Sequence, residues 1–494
     1  MGLPWSKRHS SAFAIEAGVC RPLKEDIPLC VDLDGTLLRT DTLLESVIAL
    51  LRRNPLYLLL FPIWFVKGRA NLKAQVAQRV TLDVSRLPYN DELREVLVRE
   101  RRRGRRLFLV TASNVEIAQQ IAEHLDIFSG VFASDETTNL SGRKKRQLLE
   151  REFGLKGFDY AGNSPIDLTI WAGAHHAIVV NAPARLIRRA ERVAPATAVG
   201  TRSLSLWTLA KALRVHQWAK NILVFVPLVT SHRVAELHAV MACLCAFFAF
   251  SFCASAGYLI NDVLDLPHDR QHPRKRYRAL ASGQLSLVDA LAIIPLCLTA
   301  SLLLSVTLPM HFLWILVLYF SCSLAYSLYF KQFALVDVIL LAGLYALRIY
   351  AGAVAIRVMP SEWLLLFSMF IFLSLALMKR FAELRGLSIA SSEPAVGRAY
   401  YAADLEHIAS IGTASGYIAV LVLALYVNSP GVAPLYRRPE LLWLTCPLML
   451  YWISRGWLLA YRGQMNEDPV VFALKDTRSY LIGGLVGVIM LLAA

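Results

Sequence analysis

Two groups of acids in this 494-residue chain are of a type and spacing that can do chemistry. The first is Asp32-Leu33-Asp34-Gly35-Thr36, two carboxylates one residue apart behind the apolar run Pro28-Leu29-Cys30-Val31. The second lies between Asn261 and Gly283. There Asp262, Asp265 and Asp269 are followed at once by Arg270, Arg274, Lys275, Arg276 and Arg278, with almost purely apolar sequence on either side. A carboxylate can attack an electrophile or exchange a proton, and hard cations such as Mg2+ prefer oxygen ligands. Acids followed by cations suit a metal-bound anion whose remaining oxygens are held by guanidinium groups. In helical phase the three acids share one face. Pro267 is expected to end that helix and leave Asp269 in the following turn.

Stepping outward from the first pair, Leu107 to Val110 reads as a second strand. It ends in Thr111-Ala112-Ser113-Asn114, with Asn114 placed to cap a helix to about Leu125. Phe158-Asp159-Tyr160 leads into Ala161-Gly162-Asn163-Ser164-Pro165-Ile166-Asp167, and Ile178 to Val180 reads as a further strand. Strands alternating with helices imply a doubly wound α/β domain with a parallel sheet, and acids just after a buried strand sit where such sheets bind ligands. This domain is expected over residues 1–195, with a helical cap inserted at about 43–95, and 196–204 as a linker. The cap holds a dozen mostly apolar residues, Pro55 to Val66, flanked by Arg52, Arg53, Lys67 and Arg69. They are too few to cross a bilayer. Two readings stay open: a cap core, or a segment lying in the headgroup region.

The second acid group belongs to residues 205–494, an all-α polytopic membrane bundle. A composition 56% hydrophobic, with several apolar stretches of roughly 18 residues, excludes a soluble globular protein. About nine spans are expected, near 219–232, 238–261, 287–307, 310–330, 333–355, 363–378, 408–427, 440–459 and 480–494. The start of the chain lacks the long apolar core of a signal peptide, so the N-terminal domain is expected to stay in the cytoplasm. The loops at 262–286, 331–332, 379–407 and 460–479 then fall on the cytoplasmic side of the inner membrane, and they hold most of the charge. The net charge of +15 is assigned to those loops and to anionic lipid, not to nucleic acid. Six of the eight cysteines lie in apolar spans, and the spacing shows no zinc motif, so free thiols in a reducing compartment are expected.

The ordered N-terminal motifs resemble those of the haloacid dehalogenase-like phosphatase superfamily over about residues 26–190. The resemblance implies that Asp32 is the nucleophile and Asp34 the acid/base, and that Thr111 and a lysine hold the phosphoryl group. Lys145 is chosen for that lysine, with Lys144 left open by the spacing. Asp32, Asp34 and Asp167 become the Mg2+ positions. Asn163 stands where many members carry an acid.

Asn261, Asp262, Asp265 and Asp269 resemble the first aspartate-rich motif of the UbiA-type prenyltransferase superfamily, where the acids hold a Mg2+–diphosphate. The second such motif is missing. The loop after the sixth expected span begins Met378-Lys379-Arg380-Phe381 and reaches Arg398-Ala399-Tyr400, with Asp404 alone. With His216-Gln217-Trp218-Ala219-Lys220-Asn221 and Tyr326-Ser327-Leu328-Tyr329-Phe330-Lys331, the membrane part is similar to the decaprenyl-phosphate phosphoribosyltransferase branch of that superfamily. That similarity implies 5-phosphoribosyl diphosphate as donor and a polyprenyl phosphate in the membrane as acceptor. Lys220, Arg276, Lys331, Lys379 and Arg380 are then phosphate-binding candidates. Asp337 and Arg348, inside the fifth expected span, are read as either a structural ion-pair set or substrate contacts. Glu467, Asp468 and Asp476 form a weaker acidic group. The fused phosphatase would remove the 5-phosphate from the transferase product. Prenyl transfer to an aromatic acceptor, or lipid-phosphate transport with a regulatory soluble domain, are the competing readings.

Overall fold

The run before Asp32 forms strand β1 (Leu29–Val31), buried at every position. It lies between β2 (Leu107–Asn114) and β4 (Asp159–Gly162) in a six-stranded sheet that also contains β3 (Gly130–Ser134), β5 (His176–Ala182) and β6 (Ala196–Thr201). The order is β3-β2-β1-β4-β5-β6 and every pairing is parallel. Strand order therefore reverses between β1 and β4, and the carboxyl ends there form the crevice in which such sheets hold ligands. The computed structural model describes residues 27–493 apart from 136–137, 202–204, 386–399, 430–431, 433–435, 466–468 and 474–475. It divides into two compact units, Met1–Leu204 and Ser205–Ala494. Residues 196–201, expected as linker, are instead the edge strand β6. Its register Ala177↔Ala196 to Ala182↔Thr201 extends the sheet past β5.

The turn after β1 depends on Gly35, whose φ is +75° and whose missing Cβ leaves room for the Asn163 side chain. A Cβ there would stand 2.1 Å from Asn163 Nδ2, so only glycine allows this approach. The chain then enters the cap through α1 (Thr42–Arg53), begun by Asp41, whose side chain accepts the Leu44 N–H. A 3-10 turn (Pro55–Leu59), α2 (Phe61–Val66) and α3 (Arg69–Ala77) follow. Leu50, Trp64 and Val76 form the cap's own small core. On the sheet, α4 (Val115–Leu125) follows β2, with Asn114 accepting from Glu116 N at 2.8 Å, and α5 (Arg143–Phe153) precedes β4.

The second unit is helical. Six of its helices among the described residues are long and apolar enough to cross a membrane. They are α6 (Leu237–Leu264), α8 (Leu287–Val306), α9 (Met310–Leu328), α10 (Val336–Ala355), α11 (Glu362–Arg385) and α12 (Leu405–Val427), with the short α7 (Leu266–Gln271) following α6. The other three expected spans form shorter helices. The stretch 219–232 is a 3-10 run, Val215–Phe225, joined to a five-residue helix, Val226–Thr230. The last two become α13 (Thr445–Tyr461) and α14 (Thr477–Ala493), each of 17 residues. Small residues on α6, among them Ala239, Ala242, Ala246 and Ala249, are buried and let neighbouring backbones approach.

Candidate active sites

In the first unit, Asp32 continues β1, its N–H donating to Ala161 O at 2.9 Å. Its Oδ1 accepts from Lys145 Nζ at 2.8 Å. Lys145 is buried on α5 whereas Lys144 is exposed. One residue turns a helix by about 100°, so helical phase settles which lysine meets Asp32 where spacing did not. Lys145 Nζ also donates to Tyr160 Oη (2.9 Å), and that hydroxyl donates to Asp167 Oδ1 (3.4 Å). Asp167 closes a 3-10 turn and its Oδ2 accepts the N–H groups of Asn163 (3.0 Å) and Ser164 (2.8 Å). Burial first, and then the charge of Asp32, push the Asp167 carboxyl up to about 6.

Asp34 faces the base of the cap. Its Oδ1 accepts the Thr42 N–H at 2.8 Å, and its Oδ2 accepts from Ser113 Oγ, which in turn accepts from Thr42 Oγ1 at 2.9 Å. Burial, followed by the charge of Asp41, pushes the Asp34 carboxyl up to about 7. A carboxyl in that range can carry a proton near neutrality and deliver it to a leaving oxygen. Thr111 is fully buried at the carboxyl end of β2, where its Oγ1 accepts from Ser113 N at 3.0 Å. Ser113 and Tyr160 were not singled out as site residues, although both belong to motif stretches that the sequence makes visible. Lys73 of α3 reaches the same end of β2, donating to Ala112 O at 2.6 Å.

In the second unit the acids lie where α6 gives way to α7. Asp269 is within α7, not in a turn. Pro267 falls in the first turn of the new helix, where its missing N–H leaves no bond unmade. Asp262 and Asp269, both buried, share one guanidinium: Arg278 Nη1 stands 3.1 Å from Asp262 Oδ1 and also reaches Asp269 Oδ2. Arg214 donates to the same Asp262 oxygen, with its guanidinium 5.0 Å from the Tyr258 ring centroid. The four residues expected to converge on one metal therefore divide. Asp265 Oδ2 faces Lys331 Nζ at 3.4 Å, and Asn261 Nδ2 donates to Ser327 Oγ at 2.8 Å.

Lys379 and Arg380 lie inside α11, not in the loop after it. Arg380 is only 1% exposed, and all three guanidinium nitrogens are engaged. Nε donates to Asp337 Oδ2 (2.8 Å), Nη1 to Glu383, and Nη2 to Tyr326 Oη (3.4 Å). Tyr400 also donates to Asp337. Arg380, expected as a phosphate ligand, thus stands in this structure as the interior partner of a carboxylate buried on α10. Arg348 joins Asn221 Oδ1 (2.8 Å), Leu344 O (2.6 Å) and Tyr319 Oη (2.7 Å). Lys220 lies 5.8 Å from the Tyr345 ring centroid. Arg276 is exposed and bonds its neighbour Tyr277 (2.8 Å), apart from the acids. Asp404 accepts the Tyr401 N–H, and Asp476 takes both ends of Arg455 at 2.7 and 2.9 Å. Arg398, Ala399, Glu467 and Asp468 lie outside the described residues. Adjacent on α9, Tyr326 and Ser327 join the Arg380 and Asn261 groups into one polar end of the bundle. Arg214 and Arg278 were not among the expected ligands. Arg278 stands in the motif, but no signal near Arg214 marks it.

Both sites offer carboxylate oxygens of the kind a hard divalent cation takes. Among the described residues no three His, Cys, Asp or Glu side chains form a ready cage, and Mg2+ commonly takes one or two carboxylates plus substrate phosphate oxygens. In the first unit Asp32 and Asp167 oppose each other in a buried space with Lys145 as their shared cation, leaving negative charge for a metal to offset. In the second, Asp262 and Asp269 offer hard oxygens and are paired with Arg214 and Arg278, while Asp265 faces Lys331.

The second unit is an integral membrane helical bundle whose polar end pairs carboxylates with guanidinium groups. The model of the UbiA prenyltransferase family matches residues 222–477, more than half of the chain, and the chain belongs to that family. It is similar to the uncharacterized protein y4nM of Sinorhizobium fredii, at 35% identity over 464 residues, 93% of this chain and 90% of that one. That alignment is longer than either unit, so the relative shares parts of both. Nodulation protein NoeC of Azorhizobium caulinodans is 32% identical over 291 residues, 58% of this chain and 93% of that protein. Decaprenyl-phosphate phosphoribosyltransferase of Mycobacterium tuberculosis is 35% identical over 180 residues, 36% of this chain and 60% of that protein.

Proposed function

We propose that the membrane unit transfers 5-phosphoribose from 5-phosphoribosyl diphosphate to a polyprenyl phosphate, and that the first unit then removes the 5-phosphate. The similarity to decaprenyl-phosphate phosphoribosyltransferase carries this reading, and the acid–arginine end of the bundle supports it. Asp262 and Asp269 would hold Mg2+, which would supply charge neutralisation to the diphosphate leaving group. Arg278, Arg214 and Lys331 exchange their carboxylate partners for phosphate oxygens. The C1–oxygen bond to diphosphate breaks through an oxocarbenium-like ribose, and an oxygen of the lipid phosphate forms the new bond to C1. The charged ends face the cytoplasm, where a soluble sugar diphosphate is at hand.

In the first unit the Asp32 carboxylate attacks the 5-phosphate, with Lys145 and Thr111 holding the phosphoryl oxygens, and Asp32 and Asp167 would hold the Mg2+. The ribose oxygen leaves with the proton of Asp34. Water then attacks the aspartyl-phosphate, with Asp34 taking back a proton, and inorganic phosphate departs. The product, polyprenyl-phosphoryl-ribose, is a suitable precursor for pentofuranose-containing envelope glycans. The test is purified full-length protein in lipid with Mg2+, 5-phosphoribosyl diphosphate and decaprenyl phosphate, followed by mass spectrometry of the lipid. A ribosylated lipid without the 5-phosphate is expected. No ribosylated lipid at all, or a product of prenyl transfer when farnesyl diphosphate and an aromatic acceptor are supplied instead, overturns the reading.

A further inference from the structure

The apolar run of the cap has two faces. Tyr57, Phe61 and Trp64, spaced four and three apart, turn inward, with ring centroids of Tyr57 and Phe61 6.2 and 5.7 Å from that of Trp64. Leu56, Leu59, Leu60, Ile63, Phe65 and Val66 turn outward, and Leu56 (67%), Leu59 (71%) and Val66 (86%) are largely exposed. A helix on the surface of a soluble domain normally turns polar residues outward, and a contiguous apolar patch of this kind marks a site of contact. Exposed cations flank it on both sides, Arg52 and Arg53 at the end of α1 and Lys67 after α2. The chain passes from β6 (Ala196–Thr201) into the membrane unit at Ser205, so a bilayer is always within reach of this domain at high effective concentration.

We infer that the outward face of residues 56–66 is a membrane-interface anchor, which sinks its apolar side chains to the acyl boundary while its flanking cations meet anionic headgroups. The segment is too short to span, and an apolar face bordered by arginine and lysine is the pattern of an element lying in the interface plane. The anchor is part of the insertion whose base closes the catalytic loop. Thr42 at the start of α1 bonds Asp34, and Lys73 of α3 bonds the Ala112 carbonyl. The mouth of the first site is thereby held by an element in contact with lipid, which suits a phosphomonoester whose other end stays in the bilayer. The anchor rests on the exposed face and the cations that flank it, and stands whether or not the lipid substrate proposed above is the right one.

The test places the photo-crosslinking residue p-benzoylphenylalanine at position 59 or 66 of the full-length chain, reconstituted in vesicles of phosphatidylethanolamine and phosphatidylglycerol. Both positions are exposed, so the substitution leaves the cap core intact. Irradiation is expected to give phospholipid adducts at 59 and 66 and none at 155, where Leu155 is a similarly exposed apolar residue away from the cap. In vesicles of phosphatidylcholine alone the adduct yield falls, as it does with Arg53→Glu combined with Lys67→Glu. Cross-links from 59 or 66 to peptides of residues 205–494 or to a second copy, no adduct at either position, or equal adduct yields at 155, overturn the anchor. A yield indifferent to phosphatidylglycerol and to the charge reversals overturns the role of the cations. None of these readouts requires turnover.

Discussion

The two candidate sites use the same acids in opposite electrostatic settings. In the first unit one cation, Lys145, bonds Asp32 and acts on buried Asp167 through its charge, while Asp34 accepts from the Ser113 hydroxyl and the Thr42 amide. In the second, Asp262 and Asp269 are matched by Arg214 and Arg278, and Asp265 by Lys331. On the phosphatase reading proposed above, the lysine beside Asp32 holds phosphoryl oxygens as the carboxylate attacks. On the transferase reading proposed above, the arginines beside Asp262 and Asp269 would pass to phosphate oxygens when a metal–diphosphate arrives. The same contrast recurs inside the membrane unit: Arg278 is partly exposed beside its acids, whereas Arg380 is enclosed with Asp337.

These contrasts can be broken in turn. Asp32→Asn is expected to lower phosphate release by about 10⁴-fold while ribosyl transfer continues, so that the 5-phosphorylated lipid accumulates in the mass spectrum. An unchanged product ratio would falsify the phosphatase assignment. Next, Arg380→Ala leaves Asp337 buried without its cation and is expected to cost about 3–5 kcal/mol of stability, read as a lower unfolding temperature in detergent. If stability holds and only transfer falls, Arg380 is a ligand after all. Asp262→Asn should reduce transfer at least about 100-fold and leave hydrolysis by the first unit untouched; equal loss in both reactions would mean that the sites are not separate in function. Arg278→Lys keeps a charge but not the planar guanidinium with its five donors, and a rise in donor KM of about tenfold is expected. Arg276→Ala, at an exposed position two residues away, should change transfer less than about twofold.

Local pattern made much of this legible. The strand Leu29–Val31, the cap of the helix at Asn114 and the acid–base order of residues 262–278 are local features, set by burial, capping and charge along a few residues. Where a single residue of helix, about 100° of rotation, separates two choices, the pattern could not choose. Lys144 and Lys145 are equally basic, and only the side of α5 that packs on the sheet brings Lys145 to Asp32. The strand at 196–201 was hidden because Ala196-Thr197-Ala198-Val199-Gly200-Thr201 is only weakly apolar, as an edge strand paired on one side can be. In the cap, an apolar run held two faces at once, and the sequence could not say which residues turned inward.

The sequence by itself determined the two-part design and where the acids stand along the chain, because carboxylates, apolar spans and turn residues act over short distances along the chain. Only the tertiary structure decided which cations meet those acids. Arg214 reaches Asp262 across 48 residues of sequence, and Arg380 is withdrawn to Asp337 across 43. The physical reason is that a buried charge takes whichever opposite charge packing brings within a few ångströms, and in a bundle that partner comes from another helix.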